Sequence, residues 1–389
     1  MRPAARLQAA IEIVDTVIEA ARSGGPPADA IVREYFRTRR YAGSKDRRAV
    51  REHVYAMIRR SAVPPASGRA AAIGLVDENA EVRDLFDGSD HGPVPIREDE
   101  EGAQAGVVPE WIGALLSPLV GEEGRDALLD RAPLDARVNV ARADRGTVRN
   151  ELGGDFTPLS PWGLRFESET RLDDTPAFRE GRIEIQDEAS QLVALACDPK
   201  AGKTFLDLCA GAGGKSLALA AMEPEARIVA ADVDKRRLHQ LPPRAERAGA
   251  VIETLLMNPP REAEALADFH GRTDGVLVDA PCSGSGTWRR SPELRWRLTP
   301  DRLDALVETQ ARILDLAAPL VRPGGRLVYA TCSLIEQEGA DQIERFLSRH
   351  SGWSVHHDLS FGRQSGAGRL LTPGHEGTDG FFIAALLKD

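Results

Sequence analysis

Apolar residues recur at helical spacing through the first sixty residues of the chain. Ile11, Val14 and Ile18 fall on one face of a predicted helix, and Ile31 begins a second pattern of the same kind. A third apolar face runs through the segment SKDRRAVREHVYAMIRR, whose arginines suit the C-terminal end of a helix dipole. We therefore predict a small all-α unit over residues 1–62.

The periodic pattern is lost over residues 63–108. This segment is rich in proline, glycine and aspartate, and residues 74–130 hold three Lys/Arg against fifteen Asp/Glu. Such composition is typical of a chain that buries too little apolar surface to fold by itself. We predict an acidic connector over these residues.

Mixed periodicities follow from residue 109 to residue 190. The segment VPEWIGALLSPLVGEEGRDALLDRA has helical spacing, DARVNVAR alternates as a strand does, and GTVRNELGG is a short helix closed by glycine. The runs LRFES and GRIEIQD indicate further strands. We predict a small α+β subdomain here.

Strand and helix patterns alternate from residue 191 to residue 389. The apolar runs TFLDLCA, ARIVAADV, VIETLLM, DGVLVDA and GRLVYATC are separated by helical stretches, and DGFFIAALLKD is one more β-like run. Short apolar runs alternating with helices predict a parallel sheet that helices cover on both faces. The expected fold class is therefore α/β, of the Rossmann-like kind.

A glycine-rich loop joins the first strand of this region to its first helix. The segment FLDLCAGAGGKS turns sharply at its glycines, and Asp232 ends the next strand, where an acidic residue commonly binds ribose hydroxyls. Loop and carboxylate together indicate an adenosine-type cofactor, either a dinucleotide or S-adenosylmethionine. The strict G-x-G-x-x-G fingerprint is missing, which favours S-adenosylmethionine. Asn258 follows the third strand, where its side chain is a candidate partner for an adenine edge.

Two of the four cysteines follow predicted strands. Cys282 comes three residues after Asp279 at the end of the fourth strand, and Cys332 follows the fifth. Parallel strands end at one edge of a sheet, so both thiols are expected near the glycine loop and Lys215. A packing role is the alternative, because cysteine is often a small buried hydrophobe, which is the role we expect for Cys197.

Methylation at carbon 5 of a pyrimidine is a reaction in which two thiols could both take part. This carbon is too poor a nucleophile to accept a methyl group from a sulfonium, and adding a thiolate to carbon 6 makes it reactive. The scheme needs a nucleophile, a hydrogen-bond donor at the ring and a base. A working thiolate also needs a neighbour that favours its ionised form, for which Lys215 is a candidate.

Charge and cysteine usage predict the cellular compartment of the protein but do not indicate its binding partner. The net charge of −10 is unevenly spread, since residues 1–60 hold thirteen Lys/Arg against seven Asp/Glu, so overall charge is a poor guide to binding. The cysteine spacings match neither a disulfide framework nor a metal site. No apolar run reaches membrane-spanning length. We expect a cytoplasmic monomer without metal or membrane association.

The ordered motifs resemble those of RNA cytosine-5 methyltransferases of the RsmB/NOL1/NOP2/Sun type. The resemblance covers residues 109–389 and rests on GRIEIQDEASQL, DLCAGAGGKS, DVDKRRL, DAPCSGSGTWRRSPELRW, ATCS and DGFFIA. DNA cytosine methyltransferases take their nucleophile from a Pro-Cys motif alone, so the second cysteine, in TCS, favours the RNA class.

The resemblance implies a role for each site residue. Cys332 would attack carbon 6, Cys282 would assist product release, and Asp279 would contact the base beside the cofactor. Asp232 would bind the ribose. Position 258 is usually aspartate in the family, which puts an adenine contact by Asn258 in doubt. The loop expected to cradle S-adenosylmethionine consists of Cys209, Ala210, Gly211, Ala212, Gly213, Gly214 and Lys215.

The resemblance also implies an RNA substrate. The N-terminal helices are similar to the NusB-like RNA-binding domain of bacterial members, and residues 109–190 resemble an RNA-recognition-like subdomain. Near the cleft, cations and a stacking surface for RNA are expected from Arg289, Arg290, Arg295 and Trp296. The predicted activity is S-adenosylmethionine-dependent methylation of cytosine carbon 5 in RNA, with ribosomal RNA favoured. The alternatives are the same chemistry on transfer RNA and a non-catalytic RNA-binding factor of ribosome assembly.

Overall fold

Two compact units make up the computed structural model, which describes all 389 residues. The first unit comprises Met1–Leu115, Arg125–Asp130 and Thr287–Pro300, and the second comprises Leu116–Gly124, Arg131–Gly286 and Asp301–Asp389. The first unit is therefore completed by a segment from late in the chain. No helix has both the length and the apolar character that crossing a bilayer requires.

The first unit is built on helices, and its core confirms the apolar faces predicted from the sequence. Buried side chains of the first and third helices include Val14, Ile18, Val54 and Met57. Gly24 adopts a left-handed conformation (φ 72°) and ends the first helix, which fits the preference for glycine at that position. The α-helices of residues 1–115 are α1 (Pro3–Ser23), α2 (Ala28–Thr38), α3 (Ser44–Arg60), α4 (Gly68–Gly74) and α5 (Glu110–Gly113).

The acidic segment after α3 is more than a connector, which corrects the expectation for residues 63–108. Helix α4 is followed by 3₁₀ turns at Leu75–Asp77 and Ala80–Leu85. Leu75, Val82 and Phe86 are buried in the same core as α1 and α3. The composition concealed this packing because the charged residues occupy the exposed positions between a few widely spaced apolar ones.

A small antiparallel sheet opens the second unit. Its strand order is β2-β3-β1-β4, and Ala136, Val138, Val148 and Leu164 form the centre of its core. Its strands and the helices before and beside them are α6 (Gly121–Asp126), β1 (Leu134–Val138), α7 (Arg145–Leu152), β2 (Asp155–Phe156), β3 (Gly163–Phe166), α8 (Pro176–Arg179) and β4 (Ile183–Ile185).

The larger sheet of the second unit has nine strands. Its order is β11-β12-β13-β9-β8-β5-β6-β7, and β10 pairs with β13. These strands are β5 (Thr204–Asp207), β6 (Arg227–Asp232), β7 (Ile252–Leu256), β8 (Thr273–Asp279), β9 (Val321–Thr331), β10 (Trp353–Val355), β11 (Arg363–Ser365), β12 (Gly368–Leu371) and β13 (Phe381–Lys388).

Helices alternate with these strands, as the sequence pattern predicted. They are α9 (Glu188–Cys197), α10 (Gly214–Met222), α11 (Lys235–Leu238), α12 (Leu241–Ala248), α13 (Glu262–Ala265), α15 (Pro300–Ala317), α16 (Ala340–Arg349) and α17 (Pro373–Glu376). The intervening helix α14 (Leu294–Arg297) belongs to the first unit. Strands β5 to β9 pair in parallel, while β13 runs antiparallel to β9. The expected Rossmann-like α/β class is confirmed, and the short strands β10, β11 and β12 were not predicted.

Candidate active site

Chemistry-bearing residues follow four neighbouring parallel strands at one edge of the large sheet. The glycine loop follows β5, Asp232 ends β6, Asp279 ends β8, and Cys332 follows Thr331 at the end of β9. These strands are paired in parallel in the order β9-β8-β5-β6. Their carboxyl ends therefore share one edge, which is where open α/β sheets bind ligands.

The two thiols after β8 and β9 are in direct contact. The Sγ atoms of Cys282 and Cys332 lie 3.3 Å apart, and both cysteines are free. Hydrogen bonding to Cys332, together with burial, raises the pKa of the Cys282 thiol well above its usual value. Cys282 is therefore protonated at neutral pH while its sulfur contacts that of Cys332.

Backbone hydrogen bonds hold the two cysteine-bearing loops together. The Ala280 N–H donates to the Ala330 carbonyl (2.9 Å), and the Gly286 N–H donates to the Cys332 carbonyl (3.0 Å). One contact thus precedes Cys282 and the other follows it. The loops carry the thiols on a shared framework rather than as independent segments.

An ion pair joins the glycine loop to the end of β8. Lys215 Nζ donates to Asp279 Oδ2 at 2.7 Å, and its side chain is 11% exposed. Burial lowers the pKa of Lys215, but the adjacent Asp279 carboxylate outweighs burial and leaves that pKa above its usual value. Attraction to Cys332 adds to this rise, which places the ammonium within electrostatic reach of the sulfur. Lys215 is therefore a fixed cation near the Cys332 thiol.

The glycine loop needs its glycines where neighbouring side chains press against it. Gly213 has φ 82°, and a Cβ there would lie 2.2 Å from Leu241 Cδ1. Gly211 has φ 55°, and a Cβ there would lie 2.3 Å from the Arg237 guanidinium. Arg244 Nη1 donates to the Ala212 carbonyl at 2.5 Å and braces the loop. The glycines therefore let the side chains of Leu241 and Arg237 pack directly against the loop backbone.

The Asp232 carboxylate organises the same loop. Its Oδ2 accepts from the Gly211 N–H at 2.6 Å, and its Oδ1 accepts from the Asp234 N–H at 2.7 Å. Each carboxylate oxygen has a second lone pair, so Asp232 retains acceptor capacity for ribose hydroxyls. The residues present thus fit an adenosine-type cofactor.

Asn258 follows β7, and its carbonyl accepts from the Arg261 N–H at 2.7 Å, while Cys209 is the first residue of the glycine loop. Asn258 is exposed after β7, where the Met257 N–H donates to the Asp232 carbonyl at 3.0 Å. Burial, with Asp207 beside it, raises the pKa of Cys209 well above its usual value, so that thiol is unreactive. Cys197 is buried in the core of the large sheet, as predicted.

Asp207 is a site residue that the sequence pattern did not single out. It ends β5 and is 1% exposed; its Oδ2 accepts from Ser216 Oγ at 2.7 Å, and its Oδ1 has no partner. Burial raises the pKa of Asp207 to about 7. The Asp of the DLCAG motif was the available sequence signal for this residue, but an acidic residue at the end of a strand does not by itself indicate burial.

The residues expected to contact RNA lie in the first unit, and most are covered. Arg295 and Trp296 are 2% and 5% exposed, Arg289 is 5% exposed, and Arg290 is half-buried. The Arg295 guanidinium donates to the carbonyls of Ile58, Arg59, Ser61 and Val107, and Trp296 Nε1 also donates to Ser61.

The structure corrects the RNA-contact expectation for Arg295 and Trp296. Arg295 satisfies carbonyls that α3 leaves without intrahelical partners at its C-terminal end, which is a favourable place for a cation. Trp296 packs into the helical core. Their role is to hold Thr287–Pro300 in the first unit.

Comparison with known proteins agrees with the fold and identifies a family. The family model for the 16S rRNA methyltransferase RsmB/F matches residues 194–387. Ribosomal RNA small subunit methyltransferase B of Xanthomonas campestris is 33% identical over 290 residues, which are 72% of this chain and 66% of that protein. The protein of the same name from Xylella fastidiosa is 33% identical over 291 residues, which are 72% of this chain and 67% of that protein.

A solved structure extends this agreement to the backbone. The crystal structure of a methyltransferase homolog protein from Pyrococcus horikoshii superimposes with a TM-score of 0.61 and 27% identity. The match covers 71% of this chain and 92% of that one.

The fold and the strand-edge site together define a Rossmann-like methyltransferase that uses S-adenosylmethionine. Within that class, the chain belongs to the RsmB/F family of 16S rRNA methyltransferases. It spans about two thirds of the length of the relatives that it matches.

Proposed function

We propose that this protein methylates carbon 5 of a cytosine in ribosomal RNA through a covalent cysteine–cytosine intermediate. The observation that carries the proposal is the contact of Cys282 and Cys332 at the edge of the cofactor loop. A single nucleophile would not require a second thiol 3.3 Å away whose pKa is raised by its hydrogen bond.

The first chemical step is assigned to Cys332. Its thiolate adds to carbon 6 of the ring, and the electron pair of the carbon 5–carbon 6 double bond becomes available at carbon 5. The fixed Lys215 cation lies within electrostatic reach of the attacking sulfur. Asp279, oriented by Lys215 at 2.7 Å, is the carboxylate at the end of β8 that would contact the base.

Methyl transfer and release complete the reaction. S-adenosylmethionine, held by the loop 209–215 and Asp232, supplies the methyl group that carbon 5 accepts. A base then removes the carbon 5 proton, the double bond re-forms, and Cys332 leaves as a thiolate. Cys282, beside that sulfur, assists this release.

The ribosomal substrate rests on the relatives. The Xanthomonas and Xylella proteins carry the name ribosomal RNA small subunit methyltransferase B, and the family model names 16S rRNA. Bisulfite sequencing of cellular RNA with and without the gene tests the substrate. A lost 5-methylcytosine in transfer RNA, with ribosomal RNA unchanged, would replace the ribosomal assignment.

Trapping on RNA tests the division of labour between the thiols. Cys282→Ala is expected to accumulate a protein–RNA adduct that survives a denaturing gel, because attack proceeds while release is slowed. Cys332→Ala is expected to form none. Cys197→Ala, which removes a thiol in the core of the large sheet, is the matched control and should behave as wild type. An adduct with Cys332→Ala but not with Cys282→Ala would reverse the roles.

A further inference from the structure

A fully buried carboxylate lies behind the two cysteine-bearing loops. Glu338 is 0% exposed and ends the 3₁₀ turn Glu336–Glu338 that follows Cys332. Its Oε1 accepts from the Ser283 N–H at 2.8 Å and from Gln310 Nε2 at 3.0 Å. Its Oε2 accepts from Ser333 Oγ at 2.6 Å and from Ser283 Oγ. All four donors are neutral.

The serine donors identify what this carboxylate connects. Ser283 directly follows Cys282, and Ser333 directly follows Cys332. Their hydroxyls lie 3.2 Å apart, and Ser285 Oγ contacts both, at 3.3 Å and 3.0 Å. The Glu338 carboxylate thus accepts hydrogen bonds from the residue next to each thiol.

Two further contacts anchor this connection to the sheet and to α15. The Glu338 carbonyl accepts from the Tyr329 hydroxyl at 2.8 Å and from Thr331 Oγ1 at 3.3 Å, both on β9. Gln310, which is 0% exposed on α15, donates Nε2 to the Pro281 carbonyl at 3.0 Å as well as to Glu338. The residues before and after Cys282 are therefore both fixed.

A charge in this position is a poor source of stability. Burying a carboxylate without a cation is unfavourable unless hydrogen bonds replace its water, and apolar packing often stabilises a core at least as well. A fully hydrogen-bonded buried network instead rigidifies its members in one arrangement. The members here are the two loops that carry the thiols.

We propose that Glu338 is a positioning residue that sets the separation of the Cys282 and Cys332 sulfur atoms. Its catalytic consequence rests on the proposed function: Cys282 must stay beside the Cys332 sulfur while that sulfur is bound to the RNA. Loss of the carboxylate lets the loops part, so that attack continues and release fails.

A cross-linking experiment measures the separation without any reference to activity. Dibromobimane becomes fluorescent when both of its ends have alkylated thiols, and peptide mapping identifies the linked pair. Glu338→Gln is expected to lower the yield of the Cys282–Cys332 cross-link several-fold, while each thiol remains open to single alkylation. Glu336→Gln makes the same change at an exposed glutamate two residues away and should leave the yield unchanged. An unchanged yield in folded Glu338→Gln would overturn the proposal.

Kinetics on RNA test the consequence for release. A misplacement near 1 Å lowers turnover roughly 100-fold, so Glu338→Gln is expected to lose about that factor in kcat. KM for RNA should fall together with kcat, because attack and methyl transfer precede the slowed release step, and the adduct seen with Cys282→Ala should accumulate. A merely structural glutamate would lower the melting temperature and the active fraction without any adduct. That result would reject the positioning role.

Two controls keep the outcomes separate. If Glu338→Gln does not fold, the double variant Ser283→Ala/Ser333→Ala removes both hydroxyl donors, and the same losses are expected of it. If wild-type protein yields no 5-methylcytosine while the cross-link still weakens in Glu338→Gln, the positioning role stands and the proposed reaction fails.

Discussion

Replacing Arg295 with methionine separates a packing role from an RNA contact. Methionine keeps an unbranched apolar stem in the buried site but donates no hydrogen bonds. The carbonyls of Ile58, Arg59, Ser61 and Val107 would lose the guanidinium that now lies 2.5–2.8 Å away. We expect Arg295→Met to destabilise the first unit and to leave the electrostatics of RNA binding unchanged.

The size of this effect follows from two opposing contributions. A buried carbonyl left without a donor costs about 1–3 kcal/mol. Three of the four carbonyls lose their donor here, because Ser61 still accepts from Trp296 Nε1. Burial lowers the pKa of Arg295 to about 10, so removing the buried charge returns about 3 kcal/mol. With about 2 kcal/mol for each of the three carbonyls, we expect a net loss of about 3 kcal/mol.

Thermal unfolding of the whole chain measures this loss. At roughly 3 °C per kcal/mol for a unit of this size, the transition of the first unit should move down by about 10 °C. Arg51→Met is the matched control, since Arg51 is an exposed arginine of α3 paired only with the exposed Asp29. Such a surface pair contributes less than about 1 kcal/mol, so its transition should hardly move.

Measuring RNA affinity at several salt concentrations tests the alternative, that Arg295 contacts an RNA phosphate. A phosphate-contacting arginine would lower the slope of log affinity against log salt by about 1 when removed. An unchanged melting temperature together with that smaller slope would refute the packing role of Arg295 and restore the RNA contact.

Two further predictions concern carboxylates at the cofactor edge. Asp232→Ala should weaken S-adenosylmethionine binding in calorimetry, because it removes the ribose acceptor and releases the Gly211 N–H; unchanged affinity would remove that role. Asp207 carries a pKa raised to about 7, so the folded chain holds a proton that the unfolded chain has lost, and stability falls as pH rises from about 4 to 7. Asp207→Asn removes this effect, so its stability relative to wild type should rise by up to about 4 kcal/mol from about pH 4 to pH 7 and change little above that. Parallel pH profiles for the two proteins would contradict the burial argument.

The large sheet and the meeting of its strand ends follow from local features of the sequence. Apolar runs separated by helical stretches permit little except parallel strands with right-handed crossovers. That topology alone brings Asp232, Asp279, Cys282 and Cys332 to one edge, as the structure shows. The order of residues along the chain therefore determined which groups share the site.

The partners of individual side chains depended on packing between distant segments. Arg295 and Trp296 follow a catalytic motif in the sequence, yet they lie in the helical unit more than two hundred residues away along the chain. A basic and aromatic cluster has the same composition whether it faces RNA or caps a buried helix. Only the surrounding carbonyls distinguish the two roles.

Glu338 illustrates the same division at the site itself. The sequence by itself determined the fold class, the cofactor loop and the pair of thiols, because each depends on spacing within one or two neighbouring elements. Only the tertiary structure decided that Glu338 is buried against Ser283 and Ser333, and that the Cys282 and Cys332 sulfur atoms lie 3.3 Å apart. Burial and hydrogen-bond partners depend on contacts between segments 50 or more residues apart, and the local spacing of residues does not predict such contacts.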